Sequence, residues 1–513
     1  MNRLKNPFGE VSCEQETEQL GRDYERYYFE HTPFNVACLD PQCYLVVGRR
    51  GCGKTSLSRY FTFQDRIRDC TCIDVDEPTI YEDVFARLLV GRSLGTDAGL
   101  ALFERVWEWV IWTLLFQEYR AHGSDIEAGC PFPQRRVPSE LIVDAVGELA
   151  AEFAAQDDHR LLEAMRARLR DPVHVAARRA TLAVVRKRPV IVAIDSLEHY
   201  DVYDDSIMLM IAGLIQCAAS FSTHHLRDGI HVKAFVTAEV FPHLQEKVLA
   251  NPLKFAQAPV YLEWRPKDLL RLVAWRLHHH LGTNEPDHIP RDAVAPDWER
   301  FASVLDHAWK PYFGASLDNR LGLDEDTFPY ILRHTQMRPR QLVVICNAIA
   351  RRARDEGTFP RFTPEQIVGA VHQAELELAT EVLNSYSRIH KSASEIIGAL
   401  VRAPIRFRGS FLDKRARNSS GAWPGRSYSL DAFRRLVAEL GVVGRVRTVS
   451  EAKRVVTADF EYFSRNRLDL QSDDECVIHP MFFNRLHVNT DEPWTVYPFP
   501  DHVELGELEH DGR

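Results

Sequence analysis

The feature that most constrains the fold is a glycine-rich segment that directly follows a short apolar run. The run Tyr44–Val47 leads into the eight residues of the pattern GxxxxGK[ST], which are Gly48, Arg49, Arg50, Gly51, Cys52, Gly53, Lys54 and Thr55. Glycines let such a loop wrap a phosphate and point its backbone N–H groups inward. The helical run Ser56–Phe63 follows, and the N-terminal end of a helix attracts anions. The sequence therefore predicts a P-loop, or Walker A motif, between a strand and a helix.

This loop predicts a site for ATP or ADP together with Mg²⁺. Lys54 is expected to reach the β- and γ-phosphates, and the Thr55 hydroxyl to bind Mg²⁺. Ser56 and the loop residues before Lys54 complete the predicted nucleotide-binding set. The sequence has no NKxD-type element, which reads guanine in GTPases, in a suitable place. Adenine is therefore the favoured base.

A second element of such a site is an acidic residue at the end of another buried strand. The run Val190–Ile194 is followed by Asp195, which we expect to hold Mg²⁺ through water. Glu198 is the nearest candidate for a general base or for a residue that positions water. The alternative, which the sequence supports equally, is that Glu198 is a solvated acidic residue on the surface. Other candidates for the base crowd the same region: His199, Asp201, Asp204 and Asp205.

Two further residues are candidates for contacts with the phosphates. Thr237 ends the run Val232–Val236, on a strand expected between the P-loop strand and the Asp195 strand, where it could sense the γ-phosphate or simply cap the strand end. Arg340 follows Pro339 at the start of the helical run Gln341–Arg352. This arginine could reach the phosphates from a helical lid, or it could be a surface residue that caps nearby carbonyls.

The order of apolar runs predicts an α/β fold. Short, nearly continuous apolar runs indicate parallel strands buried on both faces, and helical patterns between them indicate a doubly wound parallel sheet. The strand candidates are Cys43–Val47, Cys70–Val75, Val190–Ile194, Val232–Thr237 and Pro259–Leu262. We expect a P-loop NTPase core over 1–260, with a helical insertion at 78–188.

The rest of the 513-residue chain, after residue 260, predicts two more domains. The segment 261–390 is expected to form a helical lid, with helices at Lys267–Leu277, Phe328–Leu332 and Gln341–Arg352. The segment 391–513 is expected to form a winged-helix-like α+β domain. Its predicted parts are a helix at Ser392–Val401, a loop at 408–427, a helix at Ser429–Leu440, and alternating runs around Asp459–Phe463 and Cys476–His479.

These elements, in this order, resemble the STAND and origin-recognition-like branch of AAA-related P-loop ATPases, and more narrowly a group of bacterial P-loop ATPases. The resemblance spans nearly the whole chain and rests on Asn6–Gly9, the segments GRRGCGKTSL, IDSLE and VKAFVTAE, Arg333–Asn347 and Val477–Phe482. It implies an ATP-dependent switch that forms a homo-oligomer or binds a partner protein, in signalling, defence against phage or DNA handling.

The chain departs from that resemblance in two places. Asp195-Ser196 stands where AAA members usually have Asp-Glu, and Thr237-Ala238-Glu239 lacks the arginine common in STAND members. Hydrolysis is therefore expected to be slow. Two alternatives stay open beside an ATPase: a nucleotide-gated DNA-binding regulator, and a scaffold that keeps ADP or ATP without hydrolysing it.

Charge and cysteine content indicate which partners and which cellular compartment are compatible with this chain. The chain carries −10 overall, but 402–454 contains thirteen Lys and Arg against four acids, a local +9 that suits either DNA phosphates or an acidic protein surface. Ten cysteines without a CxxC pair, and an N-terminus without an apolar signal region, favour the cytoplasm. The apolar run Val106–Phe116 is too short for a membrane span, so we expect a core helix.

Overall fold

The computed structural model describes residues 6–61, 70–76, 84–85, 87–88, 94–195, 205–248, 259–289, 294–387, 389–423, 428–462 and 467–499. It divides the chain into two compact units. We call Thr32–Glu263 the α/β unit, and Met1–His31 together with Trp264–Arg513 the C-terminal unit. The N-terminal segment, with helices α1 (Cys13–Leu20) and α2 (Tyr24–Tyr27), thus groups with the C-terminal unit. The three-domain division stays a prediction.

The α/β unit is built on a five-stranded parallel sheet in the described part of the chain. Its order is β2-β3-β4-β1-β5, and every pairing is parallel. The strands are β1 (Leu45–Gly48), β2 (Thr71–Val75), β3 (Val190–Asp195), β4 (Ile230–Thr237) and β5 (Val260–Tyr261). The α/β class and all the strand candidates of this unit are confirmed. Strands β1 and β3 are buried along their whole length, as their continuous apolar runs indicate.

Helices occupy the described part of the predicted insertion. The helices of the α/β unit are α3 (Pro33–Leu39), α4 (Lys54–Tyr60), α5 (Thr96–Glu118), α6 (Ser124–Gly129), α7 (Pro138–Ala154), α8 (Asp158–Leu169), α9 (Pro172–Val185), α10 (Asp205–His224) and α11 (Phe241–Lys247). Helices α5 and α10 pack against each other, and the Trp107 indole N–H donates to the Met210 carbonyl at 2.9 Å. Because Trp107, Trp109 and Trp112 are all buried, the run Val106–Phe116 is part of a core helix, as expected.

One helix is long and apolar enough to cross a membrane. It spans Ser206–His224 within α10, and 67% of its most apolar 18-residue stretch is buried. It packs on α5 and β4, which is the behaviour of a core helix. Nothing in the described residues therefore calls for a membrane, and the cytoplasmic location stays a prediction.

Helices dominate the first half of the C-terminal unit. They are α12 (Pro266–Asn284), α13 (Phe301–Val304), a π-helical turn (Leu305–Trp309), α14 (Lys310–Phe313), α15 (Thr327–Arg333), α16 (Pro339–Asp355) and α17 (Pro364–Tyr386). The three helices predicted between 261 and 390 are confirmed within α12, α15 and α16. The small antiparallel pair β6 (Ser316–Asp318) and β7 (Asp324–Asp326) was not predicted.

The last part of the chain combines short helices with a second sheet. The helices are α18 (Ala393–Ile397), α19 (Ser410–Ser419) and α20 (Leu430–Glu439). The strands are β8 (Arg406–Arg408), β9 (Val443–Ser450), β10 (Val455–Asp459), β11 (Glu475–Ile478) and β12 (Thr495–Tyr497), in the order β12-β10-β9-β11-β8. Strands β9 and β10 form an antiparallel hairpin, and β11 pairs antiparallel with both β8 and β9.

Two predictions in this part are wrong. The predicted loop at 408–427 contains helix α19, whose narrow buried face consists of Leu412, Ala416 and Ser419, so its apolar signal is weak. In the run around Asp459–Phe463 only Asp459 belongs to a strand, as the last residue of β10; residues 460–462 are not in a strand, and Phe463 lies outside the described residues. The hairpin strands instead lie earlier, where alternate arginines in Val443–Ser450 hide the strand pattern.

Candidate functional site

Parallel strands bring the predicted site residues to one edge of the α/β sheet. The carboxyl ends of β1 and β4 are in register, with Gly48 opposite Thr237, and Asp195 at the end of β3 lies opposite Phe235. Strand β4 thus lies between β1 and β3, as predicted for the Thr237 strand. Ligands of open α/β sheets bind outside the carboxyl ends of the strands, so this edge is the candidate site.

The glycine-rich loop folds tightly between β1 and α4. Gly51 and Gly53 adopt φ of 74° and 98°, a region that residues with a Cβ rarely enter. A Cβ on Gly48 would lie 2.5 Å from the Cys52 sulfur, so the loop also closes too tightly for a side chain there. Helix α4 begins at Lys54, and the Leu57 N–H donates to the Gly53 carbonyl at 3.0 Å. The N-terminal end of α4 therefore faces the loop.

Two motifs that are 140 residues apart meet at this loop. The Thr55 hydroxyl donates to Asp195 Oδ2 at 2.7 Å, and Asp195 is buried. Lys54 is also buried, and its ammonium group donates to the Gly48 carbonyl at 3.2 Å. A lysine, a hydroxyl and a carboxylate thus converge where α4, β1 and β3 come together.

The pair formed by Thr55 and Asp195 offers oxygen ligands to a hard cation. Among the residues that the structure describes, no group of three or more His, Cys, Asp or Glu side chains is arranged to hold a metal. A Mg²⁺ site of the nucleotide-binding kind does not require such a group, because Mg²⁺ usually keeps waters and takes one or two carboxylates plus phosphate oxygens from the ligand. The oxygen atoms of Thr55 and Asp195 therefore fit Mg²⁺ that is bound together with a phosphate ligand.

The end of β4 contributes a further polar group to the loop. Thr237 is buried, and the Ala238 N–H donates to the Gly48 carbonyl at 3.1 Å. Glu239 Oε1 accepts the Arg50 backbone N–H at 3.2 Å and lies 3.9 Å from Arg49 Nε. No role was predicted for Glu239, although its position two residues after Thr237 is a visible signal.

Helix α4 is also tied to the end of β2 by charged side chains. The Ser58 hydroxyl donates to Asp74, while Arg59 Nη1 lies 3.3 Å from Asp74 Oδ2 and its Nη2 pairs with Asp76. Burial raises the pKa of Asp74 to about 6, against the opposing effects of Ser58 and Arg59. These residues hold α4 against the sheet. Sequence reasoning missed them, although two aspartates at the end of a strand candidate were available as a signal.

Several predicted residues lie outside the described part of the chain. They are Ser196, Glu198, His199, Asp201 and Asp204. Asp205 is described only as the first residue of α10. The role of Glu198 as general base therefore stays a prediction.

The predicted lid arginine, Arg340, and its neighbour Arg338 differ in their surroundings within the C-terminal unit. Pro339 is the first residue of α16, as predicted, and Arg338 is the N-cap residue, without a side-chain hydrogen bond to the helix end. Arg338 is buried and donates to Gln336 Oε1 at 3.1 Å, whereas the half-buried Arg340 lies 3.8 Å from Glu381 Oε1. Arg340 thus has the more accessible guanidinium of the two, and its reach to a phosphate stays a prediction.

The basic region divides into ion-paired and exposed side chains. Arg434 lies 2.5 Å from Asp413 Oδ1, and Arg435 lies 2.5 Å from Glu461 Oε1. These two arginines therefore stabilise the fold of their own domain. The exposed basic residues that form no ion pair with described residues are Arg402, Arg408, Lys414, Arg417, Arg447, Lys453 and Arg454.

Comparisons with known proteins add no family to this description. No family model matches the chain, and searches of curated proteins and of solved structures found no match. The resemblance to AAA-related ATPases therefore stays a prediction that rests on the quoted motifs and the geometry above.

Proposed function

We propose that this chain is a Mg²⁺-dependent P-loop ATPase of the STAND and origin-recognition-like kind, which works as a slow switch or assembly protein. The observation that carries the proposal is the 2.7 Å hydrogen bond from the Thr55 hydroxyl to Asp195. These are the two residues that the sequence independently assigns to Mg²⁺. Their contact, beside a buried Lys54 and a loop of positive-φ glycines, supports a site for a nucleoside triphosphate.

Each residue of the proposed site has a separate task. The loop N–H groups and the N-terminal end of α4 stabilise the phosphate charge, and Lys54 binds the β- and γ-phosphates. Thr55 and Asp195 would hold Mg²⁺, which would offset the negative charge of the phosphates. Thr237 binds near the γ-phosphate, Glu198 orients the attacking water, and Arg340 or an arginine of a partner subunit senses the terminal phosphate. Subunits of a homo-oligomer or a partner protein would respond to this nucleotide state in the cytoplasm.

The first test is release of phosphate from ATP and Mg²⁺. Wild type should release phosphate slowly, while Lys54→Ala should lose this activity because the phosphates lose their cation. Glu198→Gln should also lose turnover but keep ATP binding, since a glutamine cannot accept a proton from water. A Lys54→Ala variant as active as wild type would refute the proposal. Stable ATP binding without turnover would instead indicate that the nucleotide is a switch ligand, or that the protein is a scaffold that keeps ATP without hydrolysing it.

A second candidate is a nucleotide-gated DNA-binding regulator. The helices α18, α19 and α20 followed by the β9–β10 hairpin support a winged-helix assignment for this part of the chain. Its hairpin turn carries Lys453 and Arg454, which are exposed and form no ion pair with described residues. Such residues can neutralise phosphates of DNA without reading its bases.

The choice of residues decides the DNA experiment. Reversing Arg434 or Arg435 would break internal ion pairs, so a loss of binding would be uninformative. The pair Lys453→Glu and Arg454→Glu should instead weaken binding of a duplex at low salt and flatten its salt dependence. The matched control, Arg351→Glu with Arg361→Glu, reverses two exposed basic residues that likewise form no ion pair with described residues. If the variant with Lys453→Glu and Arg454→Glu binds DNA as tightly as the control variant, or if wild type binds no DNA at low salt, the DNA-binding function is refuted.

A further inference from the structure

The end of β4 is joined to the first half of the glycine-rich loop by two hydrogen bonds. The Ala238 N–H donates to the Gly48 carbonyl at 3.1 Å, and the Arg50 N–H donates to Glu239 Oε1 at 3.2 Å. Because Glu239 comes two residues after Thr237, a change at the predicted γ-phosphate position can reach the loop through a short, hydrogen-bonded stretch of chain. The loop is therefore held in shape from β4 as well as from β1 and α4.

Glu239 is a buried carboxylate beside a loop that is proposed to hold phosphates. Its side chain is 3% exposed, and Arg49, with 15% exposure, brings Nε to 3.9 Å from the carboxylate. A buried charge is costly unless an opposite charge or hydrogen bonds compensate it. A carboxylate here would also repel a triphosphate, and the guanidinium of Arg49 is a cation of the loop close enough to this carboxylate to offset the repulsion. The carboxylate and the guanidinium therefore act as a pair.

We propose that Glu239 is a positioning residue that holds the Arg49 guanidinium at the β4 side of the loop, where Arg49 binds the terminal phosphate and makes the site prefer ATP to ADP. This inference rests on the proposed nucleotide site. Arg49 is the second residue of the loop and Glu239 fixes the amide of the third, so the pair sets both the side chain and the backbone beside the predicted γ-phosphate position. A guanidinium suits this task because it stays charged and offers several donors to one phosphate.

The test compares the affinities of MgATP and MgADP for four proteins, by displacement of a fluorescent nucleotide. Wild type should prefer ATP, and Arg49→Gln should reduce that preference by about tenfold, a factor that corresponds to 1.4 kcal/mol. Glu239→Gln keeps an oxygen for the Arg50 N–H but removes the charge that orients Arg49, so it should reduce the preference by a similar factor. The double variant should be no worse than Arg49→Gln alone, because both changes remove one interaction.

Two controls separate a specific effect from damage to the fold. Arg186 and Asp228 form an ion pair of 2.8 Å in the same unit, near the amino ends of β3 and β4 and so at the opposite edge of the sheet, and Arg186→Gln with Asp228→Asn should leave the ATP preference unchanged. Arg49→Lys keeps a positive charge on a partly exposed side chain, and it should retain more of the preference than Arg49→Gln. This variant provides the test if a glutamine at 239 prevents folding.

The outcomes distinguish this inference from the proposed function. If Lys54→Ala binds both nucleotides like wild type, the nucleotide site itself is refuted. If Lys54→Ala loses both nucleotides but Arg49→Gln and Glu239→Gln weaken ATP and ADP equally, the site stands and the inference fails. Effects that multiply in the double variant would also overturn it, because they would show that Arg49 and Glu239 act independently.

Discussion

At the scale of single residues, the candidate site depends on a few polar side chains that are buried at the carboxyl edge of the sheet. Lys54 and Asp195 are buried; Lys54 donates to the Gly48 carbonyl of the loop, and Asp195 accepts from Thr55 at the start of α4. Burial of a charged group is costly unless an opposite charge or hydrogen bonds compensate it. The proposed nucleotide and Mg²⁺ would supply further compensation for Lys54 and Asp195.

The Thr55 hydroxyl offers a clean test at this scale. Thr55→Ala removes the 2.7 Å hydrogen bond to Asp195, which should cost about 1 kcal/mol of the free energy of unfolding. It should weaken Mg²⁺-dependent nucleotide binding far more, by about tenfold or greater, because a cation ligand is lost. Thr55→Ser keeps the hydroxyl and should resemble wild type in titrations with and without Mg²⁺. Equal behaviour of the alanine and serine variants would contradict the assigned role.

At the scale of elements, the α5–α10 contact shows how closely the helices of the α/β unit pack. A Cβ on Gly213 would lie 2.6 Å from Phe103 Cβ and 2.9 Å from the Phe103 backbone carbon. Since backbone atoms cannot move aside as a side chain can, this glycine sets the distance between the two helices.

Gly213→Ala and Gly147→Ala form a matched pair of helix substitutions. Gly213→Ala should lower the free energy of unfolding by about 1–3 kcal/mol, because the methyl group overpacks the contact. Gly147 lies in α7 with no atom within 4 Å of its Cβ position, so Gly147→Ala should raise stability by about 0.5–1 kcal/mol through helix propensity. Urea unfolding measures both values. Destabilisation of equal size in the two variants would show that this packing account is wrong.

A buried carboxyl in the C-terminal unit makes stability depend on pH. Glu375 of α17 lies 3.0 Å from His334 and 3.5 Å from His372, with Arg320 and Arg333 as the nearby cations. Burial raises the pKa of Glu375 to about 8, and burial lowers the pKa of His334 well below its usual value. Near neutral pH the contact is therefore between a protonated carboxyl group and a neutral imidazole rather than an ion pair.

The raised pKa of Glu375 gives the sign of the effect. A carboxyl that holds its proton more tightly when folded stabilises the protein fully below its unfolded pKa near 4.5, and this contribution is lost as pH rises through about 8. Glu375→Gln imitates the protonated form, so its stability relative to wild type should rise between pH 5 and pH 8.5 or so. Thermal unfolding of both proteins across this range isolates Glu375 from the histidines. A difference in stability between the two proteins that does not change with pH would contradict the raised pKa of Glu375.

Sequence reasoning succeeded for elements with a strong local signal and failed where tertiary contacts decide. The strands β1 to β5 are continuous apolar runs, and Pro339 marks the start of α16. Helix α19 buries few apolar side chains, and β9 carries Arg445 and Arg447 beside its apolar residues, so neither has a clear periodicity. The hydrogen bond between Thr55 and Asp195 could be anticipated from two motifs, whereas the pair of Arg49 and Glu239 depends on the register of β1 and β4.

At the scale of the whole molecule, the N-terminal segment belongs with the last 250 residues or so of the chain. The amide group of Asn347 accepts the Phe8 N–H at 3.2 Å and donates to the Gly9 carbonyl at 2.7 Å, and Arg276 pairs with Glu16 at 2.9 Å. Local patterns in 6–31 give no indication of these contacts, which join residues more than 250 positions apart. The sequence therefore assigned this segment to the core by proximity along the chain.

The central claim is that Lys54, Thr55 and Asp195 form a Mg²⁺-dependent nucleotide site, and the most direct measurement is calorimetric titration with ATP. Wild type should bind one ATP per chain in the presence of Mg²⁺ and bind it more weakly in EDTA. Lys54→Ala should lose at least about tenfold in affinity while its thermal unfolding stays close to wild type. The surface variant Lys310→Ala should bind as wild type does. ATP affinity that is unchanged in Lys54→Ala, or no binding by wild type at millimolar ATP, would contradict the account.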